Sequence, residues 1–377
     1  MAILENPVYV LLVLLGMVIL SVYAAKTKLG KKLGVALIVI LFTAVIANLK
    51  LIPSASNSIP LYSAIFTYLA PISIFYLLLN VNLTSIKRAG APMIILFLIG
   101  SLATTLGILI SWYVISPQQV LGDDASIIAG MLTGTYTGGS VNFNAVALEY
   151  NFQERGVLYA GTIAIDNVVT TLWIIVTLAF PAILRKFWKD KKISTPDKTS
   201  DTEENETINF HSLMWLLFLG LAAYFVSDLL ATYVPQIPSM ITISTLGILL
   251  AQIPFVARLK GSQTLGLYLV YIFLAVIGAY CELSAVVELK TIGLTLLGFT
   301  AFAVLLHGIF SIFLGGLIYK DWDMIAIVSQ ANIGGGTTAI ALAETFKRKE
   351  LLLPAILVGS LGNAVGTYLG FMVVYIL

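Results

Sequence analysis

Three features of the sequence predict an all-α polytopic membrane protein built as an inverted repeat of two five-span halves. Apolar runs long enough to cross a bilayer recur along the whole chain, two glycine-interrupted polar segments occupy matching places in the halves, and basic residues segregate to one side. Of the 377 residues, 59% are apolar and 11% charged, whereas soluble domains carry roughly 45–50% and about 25%. A water-soluble globule is therefore excluded, and the protein is expected in the cytoplasmic (inner) membrane of a bacterium, with the lipid bilayer as its first partner.

The elements follow in order. Runs at 6–25, 33–49, 60–79, 92–116 and 157–184 form one set of spans, and runs at 211–234, 239–257, 264–289, 291–319 and 351–376 form a second. Each can cross about 30 Å of hydrocarbon. The first lacks a basic leader and is long for a signal peptide, so it reads as an uncleaved span. Trp112, Tyr113 and Trp322 fall at the ends of apolar runs and read as interfacial anchors. Segments 125–149 and 324–345 differ from the rest. Both carry glycines with Thr, Ser, Asn and Gln at their centres, where a lipid-facing helix would leave backbone groups unpaired. They read as glycine-tipped re-entrant hairpins or broken helices, shielded by protein. The charged stretch 185–210 is too polar to fold alone and reads as a cytoplasmic linker. The chain thus divides into a first repeat, 1–184, the linker, and a second repeat, 211–377.

The repeat is weak in identity and ordered in architecture: four spans, an interrupted segment, one span, twice over. An offset of 196 residues places Gly138 and Gly139 on Gly334 and Gly335, Asn167 on Asn363, and Thr171 on Thr367. If both interrupted segments return to the side they came from and the N-terminus is outside, 18 of the 21 Lys and Arg residues face the cytoplasm and 3 lie outside, as the positive-inside rule requires. If both cross, the division is 11 against 10. The hairpin topology, with both termini outside, is favoured. Five crossings per half invert the second half, so the two tips enter from opposite faces and meet near the midplane, where inverted-repeat transporters hold cargo and ions.

The candidate binding residues sit on those tips. The first supplies Thr137, Gly138, Gly139, Ser140, Asn142 and Asn144, and the second supplies Asn332, Gly334, Gly335, Gly336, Thr337 and Thr338. Half-helix N-termini after the glycines present free N–H groups suited to an anionic group. Asp166 and Asn167 lie inside the span after the first tip, and Asn363 inside the span after the second. An ionised Asp at a helix centre costs roughly 2.5–3.5 kcal/mol on insertion scales. With Thr135 and Gln330, these three residues are the candidate ion-coupling set, with sodium as the metal ion and a proton as the alternative. His307 lies mid-span and reads equally as a proton relay or as an imidazole bonded to backbone. Glu282 and Asp228 sit nearer span ends, and Glu149 and Glu344 close the two interrupted segments, all as wetted positions.

Other functions find no support. The basic residues form no contiguous face for nucleic acid. The single cysteine, Cys281, cannot form an internal disulfide, and two histidines cannot supply a zinc site of the usual kind. No nucleotide-binding loop, metalloprotease helix or hydrolase triad is present, so an enzyme is not expected and no cofactor beyond the coupling ion is implied.

The stretches GMLTGTYTGGSVNFNAVA and AIDN, and later SQANIGGGTTAIALAE and GSLGNAVGTYLG, resemble the YjcL-like family of uncharacterised membrane proteins. That family is grouped with bile acid:sodium symporters and cation:proton antiporters, and is similar to sodium/glutamate and citrate symporters. The resemblance implies a core moving against a scaffold in elevator fashion, often as a homodimer. It likens TGGS at 137–140 and GGGT at 334–337 to the glycine tips of sodium/carboxylate symporters, and Asp166–Asn167 to the paired motif of antiporters with its order reversed. The expected function is a sodium-coupled symporter of a small anionic organic solute: an amino acid, short peptide or carboxylate. A cation:proton antiporter using Asp166 is the first alternative, and a non-transporting membrane scaffold or receptor the second.

Overall fold

The computed structural model describes residues 4–28, 30–83, 89–190, 209–234, 237–281 and 289–377, and within them every regular element is helical. The helices are α1 (Pro7–Ala24), α2 (Gly30–Asn48), α3 (Pro60–Leu78), α4 (Ala91–Ile115), α5 (Asp124–Gly138), α6 (Ser140–Glu149) and α7 (Gly156–Leu184). After the linker come α8 (Phe210–Tyr233), α9 (Ser239–Leu250), α10 (Ser262–Ala279), α11 (Leu289–Ile318), α12 (Trp322–Ile333), α13 (Gly335–Thr345) and α14 (Leu352–Ile376). Eight of the described helices are long and apolar enough to cross a membrane, and 34–48 and 239–250 are shorter apolar helices. All ten coincide with runs expected to span. Glu282 and most of the linker, 191–208, lie outside the described residues, as do the side chains of Thr337 and Glu344.

Local chemistry sets the helix starts. Asn6 caps α1, its Oδ1 accepting from the Val8 and Tyr9 amides at 2.9 and 3.3 Å. Asn209 caps α8 through the Ser212 amide, and Asp321 caps α12 through Met324 at 3.1 Å. Proline opens α1, α3 and α4, where its missing N–H costs nothing. Within α3, Ile65–Leu69 is a turn of π-helix, followed at once by Pro71.

Both interrupted segments are antiparallel helix pairs. Gly139, at φ +99°, ends α5 and starts α6, and Gly335, at φ +80°, plays that part between α12 and α13; side chains rarely adopt such backbone. A Cβ built on Gly134 would lie 3.1 Å from the Cβ of Asn142, and one on Gly130 would lie 3.4 Å from Val146, so α5 and α6 run back along each other. The Gln330 amide reaches Thr338 across the second break at 3.1 Å. Their ends are tied as well. Arg155, after α6, pairs with Asp124 at the start of α5, and Arg348, after α13, pairs with Asp321 before α12 at 2.9 Å. Each pair therefore begins and ends at the same end of the bundle.

The helices pack as two groups. One comprises α1–α3 and α8–α10; the other contains α4–α7 and α11–α14. They touch where α7 meets α2 and α10, where α6 meets α3 and α9, and where α9 meets α14. Inside the second group α5 lies antiparallel on α14 along a glycine stripe: Gly130, Gly134 and Gly138 face Gly370, Gly366 and Gly362. A Cβ on Gly138 would sit 2.0 Å from the Gly362 carbonyl carbon, and one on Gly370 would sit 2.8 Å from the Gly130 oxygen. Small residues at every fourth position let membrane helices pack backbone to backbone.

Candidate functional site

The break at Gly139 and the middle of α7 shape a cavity of about 250 Å³ between the two helix groups. Thr135, Ser140 and Asn144 line it from the first pair, and Asp166 and Asn167 from α7. Ser140 and Asn144 are one turn apart on α6, as are Ile163 and Asp166 on α7, so each helix turns one face inward. The opposite wall belongs to the other group: Gly34 to Ala36 of α2, where Gly34 (φ +77°) interrupts the helix, and Leu267, Val270, Tyr271 and Leu274 of α10. One wall is polar and carries the carboxylate; the other is largely apolar. Asp166 accepts a hydrogen bond from Thr170 at 3.3 Å, and the buried Tyr136 hydroxyl lies beside the same carboxylate. Asn144 accepts from the Tyr159 hydroxyl.

The remaining tip residues divide by task. Asn142 is fully buried and locked onto α14: its Oδ1 accepts from the Thr367 amide at 3.0 Å and hydroxyl at 2.8 Å, and its Nδ2 donates to the Gly362 carbonyl at 3.2 Å. It joins helices and does not line the cavity. Gly138 lies against Gly362 and Asn363, and a Cβ on Gly139 would sit 4.0 Å from the Asn363 Oδ1. Gly336 packs on Gly359 of the same helix, with 2.7 Å between its Cα and a Cβ built on Gly359. Both tips thus close on α14 about one turn apart, near its middle. The buried Thr137 hydroxyl has no hydrogen-bond partner.

The second pair feeds a buried polar network. His307 Nδ1 meets the Gly100 carbonyl at 3.0 Å and the Thr104 hydroxyl at 2.9 Å, and its Nε2 meets Ser329 at 2.9 Å. A carbonyl can only accept, so Nδ1 carries the ring hydrogen. Trp173 Nε1 donates to Ser329 Oγ at 3.1 Å, which leaves the serine hydrogen for Nε2. His307 ties α4, α11 and α12 together and is bonded to backbone through the Gly100 carbonyl. Gln330 bonds Thr177 at 3.2 Å and Thr338, and Asn332 donates to Ser101 at 3.0 Å. Gln330 and Asn332 therefore stand apart from Asp166 and the cavity it lines. Gly34 and Tyr271 carried no signal in the sequence, since each sits in an unremarkable apolar run.

The mouth of the second pair is strongly charged and buried. Arg348 reaches both Asp321 oxygens at 3.0 and 2.9 Å and Glu350 at 2.5 Å, while Arg185 reaches Asp323 at 2.6 Å and Asp190 at 2.7 Å. Burial alone would disfavour the Arg348 charge, but its hydrogen bonds to Asp321 and Glu350 more than restore it, and the net shift is upward. The first residues expected in the linker, Arg185 and Asp190, are thus pinned to α12.

The oxygen donors around Asp166 fit a hard, singly charged cation. Among the described residues no three His, Cys, Asp or Glu side chains gather as a divalent metal site would require. Fold and site together define an integral, multi-pass membrane protein with a polar cavity in its core. The chain belongs to the family described as "Protein of unknown function (DUF819)", whose model matches residues 9–377. It is similar to the uncharacterized membrane protein YjcL of Bacillus subtilis (strain 168), with 27% identity over 358 residues, 89% of this chain and 87% of that one.

Proposed function

We propose that the protein is a secondary active transporter: a sodium-coupled, elevator-type symporter of a small anionic organic solute such as an amino acid, short peptide or carboxylate. The observation that carries this reading is the placement of Asp166, Asn167, Thr135, Ser140 and Asn144 in one cavity whose far wall belongs to the other helix group. A carboxylate inside a membrane is costly and is kept for a task. The α4–α7 and α11–α14 group is the moving core, and α1–α3 with α8–α10 the scaffold.

Packing supports the inverted repeat. Several contacts in one half have counterparts in the other: α1 on α2 and α8 on α9, α2 on α10 and α9 on α3, α7 on α12 and α14 on α5. The equivalent helices α4 and α11 run antiparallel, since Ser111 bonds the Phe299 carbonyl while Gly315 packs on Leu96. An axis in the membrane plane produces that arrangement; an axis along the normal would make them parallel. The ion pairs that close each mouth support re-entrant hairpins over crossing helices. The two tips on α14 are where cargo binds, with the ion at Asp166.

Thermal unfolding of the purified protein in sodium, potassium and choline chloride tests the reading, repeated with Asp166→Asn and a panel of amino acids, dipeptides and carboxylates. Ligand that binds only the folded state raises stability by mass action. A sodium-specific rise lost in the mutant, with a further rise from one solute only in sodium, is the expected result. A response to pH alone that depends on Asp166 would replace symport by cation:proton antiport. No response of either kind would leave a scaffold or receptor.

A further inference from the structure

A second cavity, of about 230 Å³, lies at the other end of α6, against the mouth of the first helix pair. Its walls come from the π turn of α3, the segment after α6, α8 and the start of α9, and all the charge it holds is negative: Glu154 and Asp228, both exposed to solvent. Gln153 also lines it. That side chain is 3% exposed, and its Oε1 is buried with no hydrogen-bond partner, which is the state of an acceptor waiting for a donor or a cation. The π turn adds acceptors. Pro71 has no N–H to give to the carbonyls of Phe66 or Thr67, and both residues line the cavity. The C-terminal end of α6, the negative end of its dipole, reaches the cavity at Leu148.

We propose that this cavity binds a singly charged cation, either an alkali ion or a primary ammonium group. It offers carboxylate, amide and carbonyl oxygens from four chain segments and no Lys or Arg. Calcium takes six to eight oxygen ligands at short range, more than these two solvated carboxylates and the few neutral oxygens beside them offer. The site is separate from Asp166, which lies at the opposite end of α6, and it stands whether or not the transport reading does.

The test uses the full-length protein carrying Asp166→Asn, which removes the carboxylate of the other cavity. Its melting midpoint is measured in sodium, potassium or methylammonium chloride against choline chloride at equal ionic strength. At a concentration about 100 times the dissociation constant the midpoint rises by about 3 °C. The rise disappears when Glu154→Gln and Asp228→Asn are added, and falls with Gln153→Leu alone. The first two side chains are on the surface, so those substitutions leave folding intact. A rise with sodium or potassium assigns an alkali ion; a rise with methylammonium assigns an ammonium group. No rise above choline, or a rise that survives the Glu154 and Asp228 substitutions, overturns the proposal.

Discussion

Replacing Arg348 by Met should destabilise the protein far more than replacing Arg155 by Met, although both arginines close a helix pair. Arg348 is 5% exposed and Asp321 is fully buried, whereas Arg155 is 52% exposed. Removing one partner of a buried ion pair costs about 3–5 kcal/mol because the other charge stays behind, while a surface pair is worth about 0–1 kcal/mol. Unfolding entropy of about 2.1 cal/mol/K per residue gives this chain about 0.8 kcal/mol/K, so the Arg348 loss translates to a melting point lower by about 4–6 °C and the Arg155 loss to about 1 °C or less. Asp323 keeps Arg185 at 2.6 Å, and Asp321 still caps α12, which puts the Arg348 effect toward the lower figure. The assay is thermal unfolding in detergent for the two single variants, and for Arg348→Met combined with Asp321→Asn. The double variant should recover part of the loss, since it removes the stranded carboxylate. Equal shifts for both arginines, or no recovery in the double variant, would refute the argument that burial sets the cost.

Three further outcomes follow from the same geometry. Asn142→Ala removes three buried hydrogen bonds to Thr367 and Gly362, so it should lower stability by about 2–3 kcal/mol in every salt alike, as a thermal scan with and without sodium would reveal; Asn144→Ala should instead weaken the sodium response. Gly366→Leu forces a side chain into Asn142, 2.4 Å from where its Cβ would stand, and should leave little folded protein in size-exclusion chromatography, whereas Gly16→Ala, with nothing within 4 Å, should be neutral or stabilising by about 0.5–1 kcal/mol. In a Cys281→Ser background, single cysteines at the exposed positions 122 and 154 should both react with an impermeant maleimide from the same side of oriented vesicles; reaction from opposite sides would mean that α5 and α6 cross.

The order of spans was legible in the sequence because hydrocarbon thickness sets run length, and all ten apolar runs carry helices. Both breaks were legible because glycine, threonine and asparagine cannot face lipid. The glycine stripe is equally written in the sequence, since Gly130, Gly134 and Gly138 keep the spacing of Gly362, Gly366 and Gly370, although spacing alone does not say that the two rows face each other. The partners of Asn142 and His307 were not readable. Asn142 bonds Thr367, 225 residues away, and His307 bonds Gly100, 207 residues away; no local pattern encodes pairings at that distance. The cavity was half legible, because its polar wall is a motif and its apolar wall is an ordinary stretch of helix.

The two helix pairs share a shape and differ in what surrounds them, and under the proposed reading that difference bears on which one is suited to an ion. Around the second, Ser329 bonds His307, Gln330 bonds Thr177 and the Asn332 amide nitrogen bonds Ser101, leaving only the buried Asn332 Oδ1 without a partner, and its mouth is held by buried ion pairs. Every rearrangement there would have to break several of these at once. Around the first, Thr135, Ser140 and Asn144 face a cavity, and the pair at the mouth is largely exposed. Opening it costs less. An ion site needs oxygens free to exchange water for protein, so under the proposed reading the first pair is the one suited to the ion, and the second is the more tightly bonded of the two. The two helix pairs thus have one shape, and the polar partners around each give the two tips different surroundings.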